Sequence, residues 1–219
     1  MEPHPATCLP QYRLILALDI EQSTCRPDPV KAEFRTSLYE LFDVALRSAG
    51  IQRRHRDAFI DRGDGVLALI HPVDQVPKAI LLTHAIPALN RLLTDYNASP
   101  PCLGRTQHQL RVRAVMHAGE VQYDAHGCFG EALDIAFRLL DASHVKKALK
   151  VAADPLTLVI SGDIYRSIVR HGYGGIDQGA YHPLVRVHVA GHLYSGWINL
   201  PGKPAERQVT DMAGYRKSA

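Results

Sequence analysis

Two aspartates stand at positions where their carboxylates could share a divalent cation. Asp19 lies near the end of the apolar run RLILALDI, and Asp64 lies in the turn DRGDG ahead of the apolar segment VLALIH. An acid at the end of a strand lies at the edge of the sheet, within reach of an acid on a neighbouring hairpin. Two close carboxylates repel each other unless a cation lies between them. Mg²⁺ meets that need with one or two carboxylates and phosphate oxygens, so the pair predicts a metal site for a phosphate-bearing ligand.

The turn after Ile20 strengthens that prediction. Gln22, Ser23 and Thr24 offer backbone N–H groups ahead of a predicted helix N-terminus, a position that favours phosphate. Each acid has a simpler explanation: Asp-Gly is the commonest hairpin turn, and Asp19 alone could cap the next segment. The two acids together, in the order of elements given below, favour the metal site.

A second group of polar residues lies in the segment GEALDIAFRLL. Gly130, Asp134 and Arg138 are spaced i, i+4 and i+8, which places them on one stripe of a helix. A glycine at the start of a helix lets a ligand approach the backbone closely. The alternative for Asp134 and Arg138 is a surface ion pair worth about 0.2–0.5 kcal/mol. The helix alone does not decide between the two interpretations.

Hydrophobic periodicity supplies the elements that would position these residues. The predicted order is strand 13–20, helix 29–49, short apolar segments 51–60 and 66–71 joined by a hairpin turn at Asp64-Gly65, helix 73–96, strand 111–125, a break at HGCFG, helix 131–149, strand 156–161, helix 162–172 and two strands within 183–202. The first part reads β-α-β-β-α-β, the ferredoxin-like palm arrangement, and is followed by αβαββ elements. We therefore predict an α+β fold with one domain at 11–201 and tails at 1–10 and 202–219.

Composition narrows the class of protein. The chain has 219 residues, 46% of them hydrophobic, which is typical of a globular domain and not of a disordered chain. Its net charge of +3 is too small to indicate nucleic-acid binding. No C-x-x-C pair supports a zinc site, and neither a signal peptide nor a membrane-length apolar run is present. We expect a soluble cytoplasmic protein with no membrane or nucleic-acid partner.

Four motifs together resemble the class III adenylate/guanylate (nucleotidyl) cyclases. LALDIEQST is similar to the strand A/S-D-I-x-G-F/S-T, and DRGDGVLAL to the G-D-G hairpin of that family. RVRAVMHAGEV is similar to R-x-G-x-H-x-G-x-V, and FGEALDIAFRLLDA to F-G-x-x-V-N-x-A-x-R-L. The motifs cover most of residues 12–143 in the family's order. Their details resemble small stand-alone bacterial cyclases, which are related to the pyrimidine cyclases of antiphage (Pycsar) systems.

The resemblance implies a class III cyclase fold and a reaction. Asp19, Asp64 and the carbonyl of Ile20 would bind two Mg²⁺ or Mn²⁺ ions, and the ribose 3′-oxygen of a nucleoside triphosphate would attack the α-phosphorus and release pyrophosphate. Arg138 would stabilise charge on the α-phosphate. The family works as a head-to-tail dimer, so Asp134 and Arg138 of one chain would complete the site of the other. The implied nucleotide-binding residues are Gln22, Ser23, Thr24, Ile60, Gly63, Gly127 and Gly130.

One departure from the family pattern concerns turnover. The family's ribose-orienting asparagine is Asp134 here. An ionised aspartate cannot donate a hydrogen bond, and it adds negative charge beside a triphosphate.

The other departures concern the base and the triphosphate. The base-reading lysine of adenylate cyclases is replaced by Ile60, and the base-reading Asp or Thr by Gly127. The position of the triphosphate lysine, by a looser match, holds Ala190 near His188 and His192. Two interpretations follow: a cyclase that reads a pyrimidine through a different pocket, or a catalytically impaired cyclase-like domain that binds a nucleotide or regulates a partner. A palm-type polymerase is disfavoured because no basic groove is indicated.

Overall fold

An eight-stranded mixed sheet forms the centre of the protein, as given by a computed structural model that describes residues 9–99 and 108–201. The strands are β1 (Gln11–Ile20), β2 (Ile60–Asp61), β3 (Gly65–Ile70), β4 (Val112–Asp124), β5 (Gly127–Phe129), β6 (Leu156–Ser161), β7 (Tyr181–Val189) and β8 (His192–Asn199). Their order across the sheet is β2-β3-β1-β4-β6-β8-β7, and β5 pairs with β4 alone. The predicted tail at 202–219, and most of that at 1–10, lie outside the described residues.

Strand β1 is a central strand, and Asp19 lies near its C-terminal end. Its run Leu14 to Leu18 is at most 1% exposed, which explains why the sequence is apolar at consecutive positions. The strand pairs antiparallel with β3 on one side and with β4 on the other. Asp19 lies opposite Gly65 of β3 and opposite Arg113 of β4. The predicted central strand is therefore confirmed.

Helices cover both faces of the sheet. One face packs against α1 (Asp28–Ser48) and a long helix made of α2 (Lys78–Ile80), a π-helical turn (Leu81–Ala85) and α3 (Ile86–Ala98). The other face packs against α4 (Glu131–Leu140) and α5 (Ser143–Val151). A short helix, α6 (Gly162–Ser167), follows β6. The predicted α+β class and ferredoxin-like order are confirmed. No helix in 9–99 or 108–201 is both long and apolar enough to cross a bilayer.

Two helices differ from the prediction. The predicted helix 131–149 is interrupted, because Ala142 takes extended backbone angles (φ −59°, ψ 138°) and α5 begins after it. The predicted helix 73–96 begins later, at Lys78, and it widens into the π turn directly before Ile86 and Pro87. Proline has no N–H to donate to the preceding turn, and a local π or kinked geometry is a common response.

Three other boundaries also differ. The segment HGCFG, predicted as a break, contains β5, which folds back on β4 as a hairpin. The segment 51–60 contributes only the start of β2, after a 3₁₀ turn at Arg53–His55. The predicted helix 162–172 ends at Ser167 and continues as a 3₁₀ turn at Val169–His171.

The hairpin that carries Asp64 uses its two glycines for different purposes. The hairpin is confirmed, but its left-handed residue is Gly63 (φ +77°), and Gly65 already belongs to β3. A Cβ on Gly65 would lie 2.3 Å from the carbonyl oxygen of Leu18, whereas a Cβ on Gly63 would meet nothing within 4 Å. Gly65 is thus required by the close approach of β1, and Gly63 by the turn.

Replacing Gly65 by alanine is expected to destabilise the fold strongly. The new methyl group would collide with the backbone of β1, which cannot move aside cheaply inside a paired sheet, so we expect a loss of about 3 kcal/mol or more. Gly63→Ala strains only the turn and should cost about 1–2 kcal/mol. Chemical denaturation of both variants measures the difference. Equal stability losses would contradict the packing argument.

Candidate functional site

Asp19 and Asp64 lie close together beside the C-terminal end of β1. The amide of Ile20 donates a 3.0 Å hydrogen bond to the carbonyl of Asp64, which fixes the hairpin turn beside the end of β1. The two carboxylates are close enough that Asp64 raises the pKa of Asp19, through both its charge and a shared hydrogen bond. The structure therefore places the two predicted acids in one site.

The pKa of Asp19 is raised to about 6. Burial is the largest cause, the neighbouring Arg113 opposes it, and Asp64 adds to it. Because this pKa lies above the ordinary value of 3.8, ionisation of Asp19 lowers the stability of the fold as the pH rises through about 6. A bound cation would offset that cost.

Arg113 is a site residue that the sequence analysis did not single out. Its Nη2 donates to Asp19 Oδ2, and its Nη1 lies 3.7 Å from the carboxylate of Asp141 at the end of α4. Its Nε and Nη1 are buried without a hydrogen-bond partner in the described part of the chain. In this structure the guanidinium is the counter-charge of Asp19, and it has donors to spare for an anion.

The carboxylate oxygens of this site suit a hard divalent cation that also binds phosphate. No group of three or more His, Cys, Asp or Glu side chains within 9–99 and 108–201 is arranged to hold a metal ion by itself. Two adjacent carboxylates, one of which raises the pKa of the other, match the preference of Mg²⁺ when a ligand adds phosphate oxygens. The carbonyl of Ile20 adjoins Asp19 in the chain, and its role as a further ligand stays a prediction.

The raised pKa of Asp19 leads to a pH-dependence prediction. Below about pH 6 the proton competes with the metal for this carboxylate, so the affinity for Mn²⁺ should fall by up to about tenfold per pH unit. Above pH 6 the affinity should change little. Titrations of Mn²⁺ followed by electron paramagnetic resonance at several pH values measure it. Asp19→Asn should flatten the profile, and an equally steep profile in that variant would assign the titration to another group.

The turn after β1 leaves backbone donors unused. Gln22 has a left-handed backbone (φ 54°), and a 3₁₀ turn, Ser23–Cys25, follows it. The N–H groups of Gln22, Ser23 and Thr24 donate to no backbone carbonyl of the described chain. Ser23 is buried, and the other two are exposed. The geometry agrees with the predicted phosphate-binding turn, but α1 begins only at Asp28.

The start of the turn is anchored by a half-buried ion pair. Glu21 receives a 3.0 Å contact from Arg111 Nε, and its amide donates to the carbonyl of Arg111. Arg111 also donates to the carbonyls of Leu149 and Ala152 at the end of α5. The turn beside Asp19 is therefore attached to α5.

The predicted stripe on α4 faces solvent. Asp134 and Arg138 are exposed, and the residues between them on the other side of the helix are buried. They form no ion pair with each other, so the simple ion-pair interpretation is not what the structure shows. Gly130 precedes the helix with φ +130°, a conformation that favours glycine.

The α4 residues do not meet the acid pair within one chain. Neither Asp134 nor Arg138 forms a hydrogen bond or ion pair with Asp19 or Asp64. Between the hairpin and the helix, the side chain of Arg62 lies over the ring of Phe137, at 4.2 Å.

Gly127 is farther away still. Strand β4 starts at Val112, opposite Ile20, and ends at Asp124, opposite Gly127. About 40 Å of extended strand lies between those ends. Within one chain Gly127 and the acid pair lie toward different ends of β4, and a contact of Gly127 with a nucleotide stays a prediction.

The remaining predicted positions carry no base-reading polar group. Ile60 packs, half-buried, into the apolar cluster beneath α4. Ala190 occupies the tight turn between β7 and β8 with a left-handed φ of 48°. His188 and His192 are exposed and pair with Leu193 and Val189 respectively, which places them on opposite faces of the hairpin. They form no cluster.

Comparisons with known proteins identify the fold. No protein-family model matches the sequence, and no curated protein matches it significantly. Solved structures do match. An adenylate/guanylate cyclase/hydrolase from Silicibacter pomeroyi has 16% identity and a TM-score of 0.56 over 90% of this chain and 100% of its own.

Two further solved structures are similar. The adenylyl cyclase CyaB from P. aeruginosa has 13% identity and a TM-score of 0.59 over 91% of this chain and 100% of its own. The guanylyl cyclase Cya2 has 12% identity and a TM-score of 0.58 over 93% of this chain and 98% of its own. The fold of this chain is therefore the class III cyclase fold. At these identities the likeness concerns the fold alone.

Proposed function

We propose that the protein is a metal-dependent nucleotidyl cyclase that converts a nucleoside triphosphate to a 3′,5′-cyclic nucleotide and pyrophosphate. The observation that carries the proposal is the pairing of Asp19 and Asp64 at adjacent strand ends, where Asp64 contributes to the raised pKa of Asp19. A cyclase-type fold around that pair supports the same reaction. Two adjacent carboxylates repel each other unless a cation lies between them.

Each residue at this edge of the sheet has a defined part in the proposal. Asp19 and Asp64 would hold two Mg²⁺ or Mn²⁺ ions, which supply charge neutralisation of the triphosphate and a lowered pKa for the ribose 3′-hydroxyl. When a cation binds Asp19, the N–H groups of Arg113 that lack a hydrogen-bond partner would donate to phosphate oxygens. The free N–H groups of Ser23 and Thr24 would bind the same phosphates.

A second chain would complete the site. Asp134 and Arg138 are exposed and form no ion pair with any residue that the structure describes, which suits contact with a nucleotide held by a partner. In a head-to-tail homodimer, Arg138 would contact the α-phosphate and Asp134 the ribose. Two equivalent sites would result.

The proposal extends to a pyrimidine substrate. Ile60 and Gly127 offer no side-chain hydrogen bond to a purine, so a smaller base read by other groups fits them better. The product would then be a cyclic UMP or CMP signal, as in the antiphage systems that the motifs resemble.

Incubation with each of the four NTPs and Mn²⁺, followed by mass spectrometry, tests the proposal. We expect a cyclic mononucleotide from UTP or CTP, together with pyrophosphate. Analytical ultracentrifugation under the same conditions establishes whether the chain is a dimer. A folded dimer that makes no cyclic product from any NTP would refute the enzyme, and a product from ATP or GTP alone would refute only the pyrimidine assignment.

Asp134 favours one second candidate, a nucleotide-binding module without turnover. Its exposed carboxylate stands where a ribose-orienting donor is needed. A binding module predicts thermal stabilisation by NTP and Mn²⁺ with no product. The mass-spectrometric assay and a thermal shift measured on the same sample separate the two functions.

A further inference from the structure

A groove of about 730 Å³ opens at the end of the sheet where β6 begins. Strand β8 pairs with β6 only at Val159–Ser161, and the amide of Leu200 then bonds to the carbonyl of Ala180 instead. The first half of β6 therefore has no described strand beside it on that side, and a gap is left between α3 and α5. Its volume lies in the range of small-molecule sites. No residue of the proposed nucleotide site lines it.

The interior of the groove is apolar. Its walls come from the π turn and α3, from α5 and from the start of β6, through Leu82, Ile86, Ala148, Leu156 and Leu158. The π turn is an uncommon geometry that is often found at functional sites, and here it lies in the groove wall. Two further apolar side chains at the groove, Val151 and Leu184, are 85% and 37% exposed. An apolar ligand would cover both.

One side of the groove is cationic. His144 and Lys147 lie one turn apart on α5 and both line the groove. The neighbouring Lys146 pairs with Asp141, whereas Lys147 forms no ion pair with any described residue. Asp154, in the segment between α5 and β6, is the single acid of the described lining.

One feature of the surroundings removes an obstacle to an anion at Lys147. The negative end of the α5 dipole would repel an anion, but Arg111 already donates to the carbonyls of Leu149 and Ala152 there.

We infer that this groove binds a small amphipathic carboxylate, with its hydrocarbon body between α3 and α5 and its carboxylate at Lys147. The apolar lining supplies the affinity, and Lys147 selects the charge of the head group. The inference does not depend on the proposed cyclase activity, because it concerns different residues and a different ligand.

Isothermal titration of the full chain with decanoate, below its critical micelle concentration, tests the inference. We expect one decanoate per chain, and weaker binding of decanol and of decyltrimethylammonium. Lys147→Glu should weaken decanoate binding by about tenfold or more. Lys150→Glu makes the same charge change on the same helix outside the groove, and it should leave the Kd unchanged.

A second variant tests the location without changing charge. Ala148→Met would fill part of the groove and should weaken decanoate and decanol alike, with circular dichroism and the melting temperature confirming the fold. Equal binding of the three amphiphiles, equal effects of Lys147→Glu and Lys150→Glu, or no binding by the folded wild type would each overturn the inference. Preferred binding of the ammonium compound, lost in Asp154→Asn, would assign a cationic ligand instead.

Discussion

Asp64→Asn is expected to lower the rate of cyclic nucleotide formation by about 10³-fold or more, because a metal ligand supplies several kcal/mol of charge stabilisation in the transition state. The substitution keeps the shape of the side chain. The backbone contact of residue 64 with Ile20 uses a carbonyl that the change does not touch. The fold should therefore survive. The rate of product formation and the affinity for Mn²⁺ should fall together.

Asp61→Asn is the matched control for that experiment. Asp61 lies on the same hairpin, but its carboxylate is 60% exposed, pairs with Arg35 and accepts the amide of Gly63. Asparagine retains an acceptor for Gly63, so this variant should lose only the surface pair and keep its activity and Mn²⁺ binding. Equal loss of activity in both variants would show that the hairpin conformation, and not metal binding, was damaged.

Asp134→Asn is expected to raise turnover by about 10- to 100-fold. The change removes a negative charge beside the triphosphate, and it supplies a neutral hydrogen-bond donor for the ribose that is worth about 0.5–1.5 kcal/mol by itself. Asp134 is exposed and forms no described ion pair, so the substitution should leave stability unchanged. Steady-state rates with the preferred NTP and Mn²⁺ measure the effect.

Glu131→Gln controls for charge on the same helix. Glu131 is exposed one turn before Asp134, and its carboxylate accepts a 2.6 Å hydrogen bond from Tyr194 that glutamine can also accept. If neutralising any acid on α4 raised the rate, both variants would gain equally. A rate that falls in Asp134→Asn would instead mean that the aspartate is the functional residue in this chain.

The parts of the fold that the sequence predicted are those with a strong local pattern. Strand β1 is apolar at consecutive positions because it is paired on both sides and covered on both faces. The polar stripe of α4 could be predicted because the buried residues of this helix recur with helical spacing. Asp19 and Asp134 could therefore be placed without knowledge of distant contacts.

The parts that the sequence did not predict depend on distant contacts or on single backbone angles. The apolar spacing continues from α4 into α5, so nothing in the pattern reveals the extended backbone at Ala142. Strand β5 exists because the chain folds back on β4, not because GCF has strand composition. Both features follow from tertiary pairing, which overrides local preference.

Arg113 shows the same limit at the candidate site. It reaches Asp19 only because β1 and β4 pair in one register, across 94 positions of sequence. Its place at the start of the motif RAVMHAG was the available signal. The opposite holds for Asp134 and Arg138, whose distance from the acids of their own chain could not be read from helical spacing.

The contact of Arg62 with Phe137 has a consequence for a homodimer of the proposed kind. Arg62 precedes Gly63 and Asp64 in the hairpin that serves one site, and Phe137 lies on the helix whose Arg138 serves the other. If a bound nucleotide moves the hairpin, the contact between Arg62 and Phe137 would therefore also move the helix that completes the neighbouring site. Cooperativity between the two sites, with a Hill coefficient different from one, follows from this contact and should be lost in Arg62→Ala.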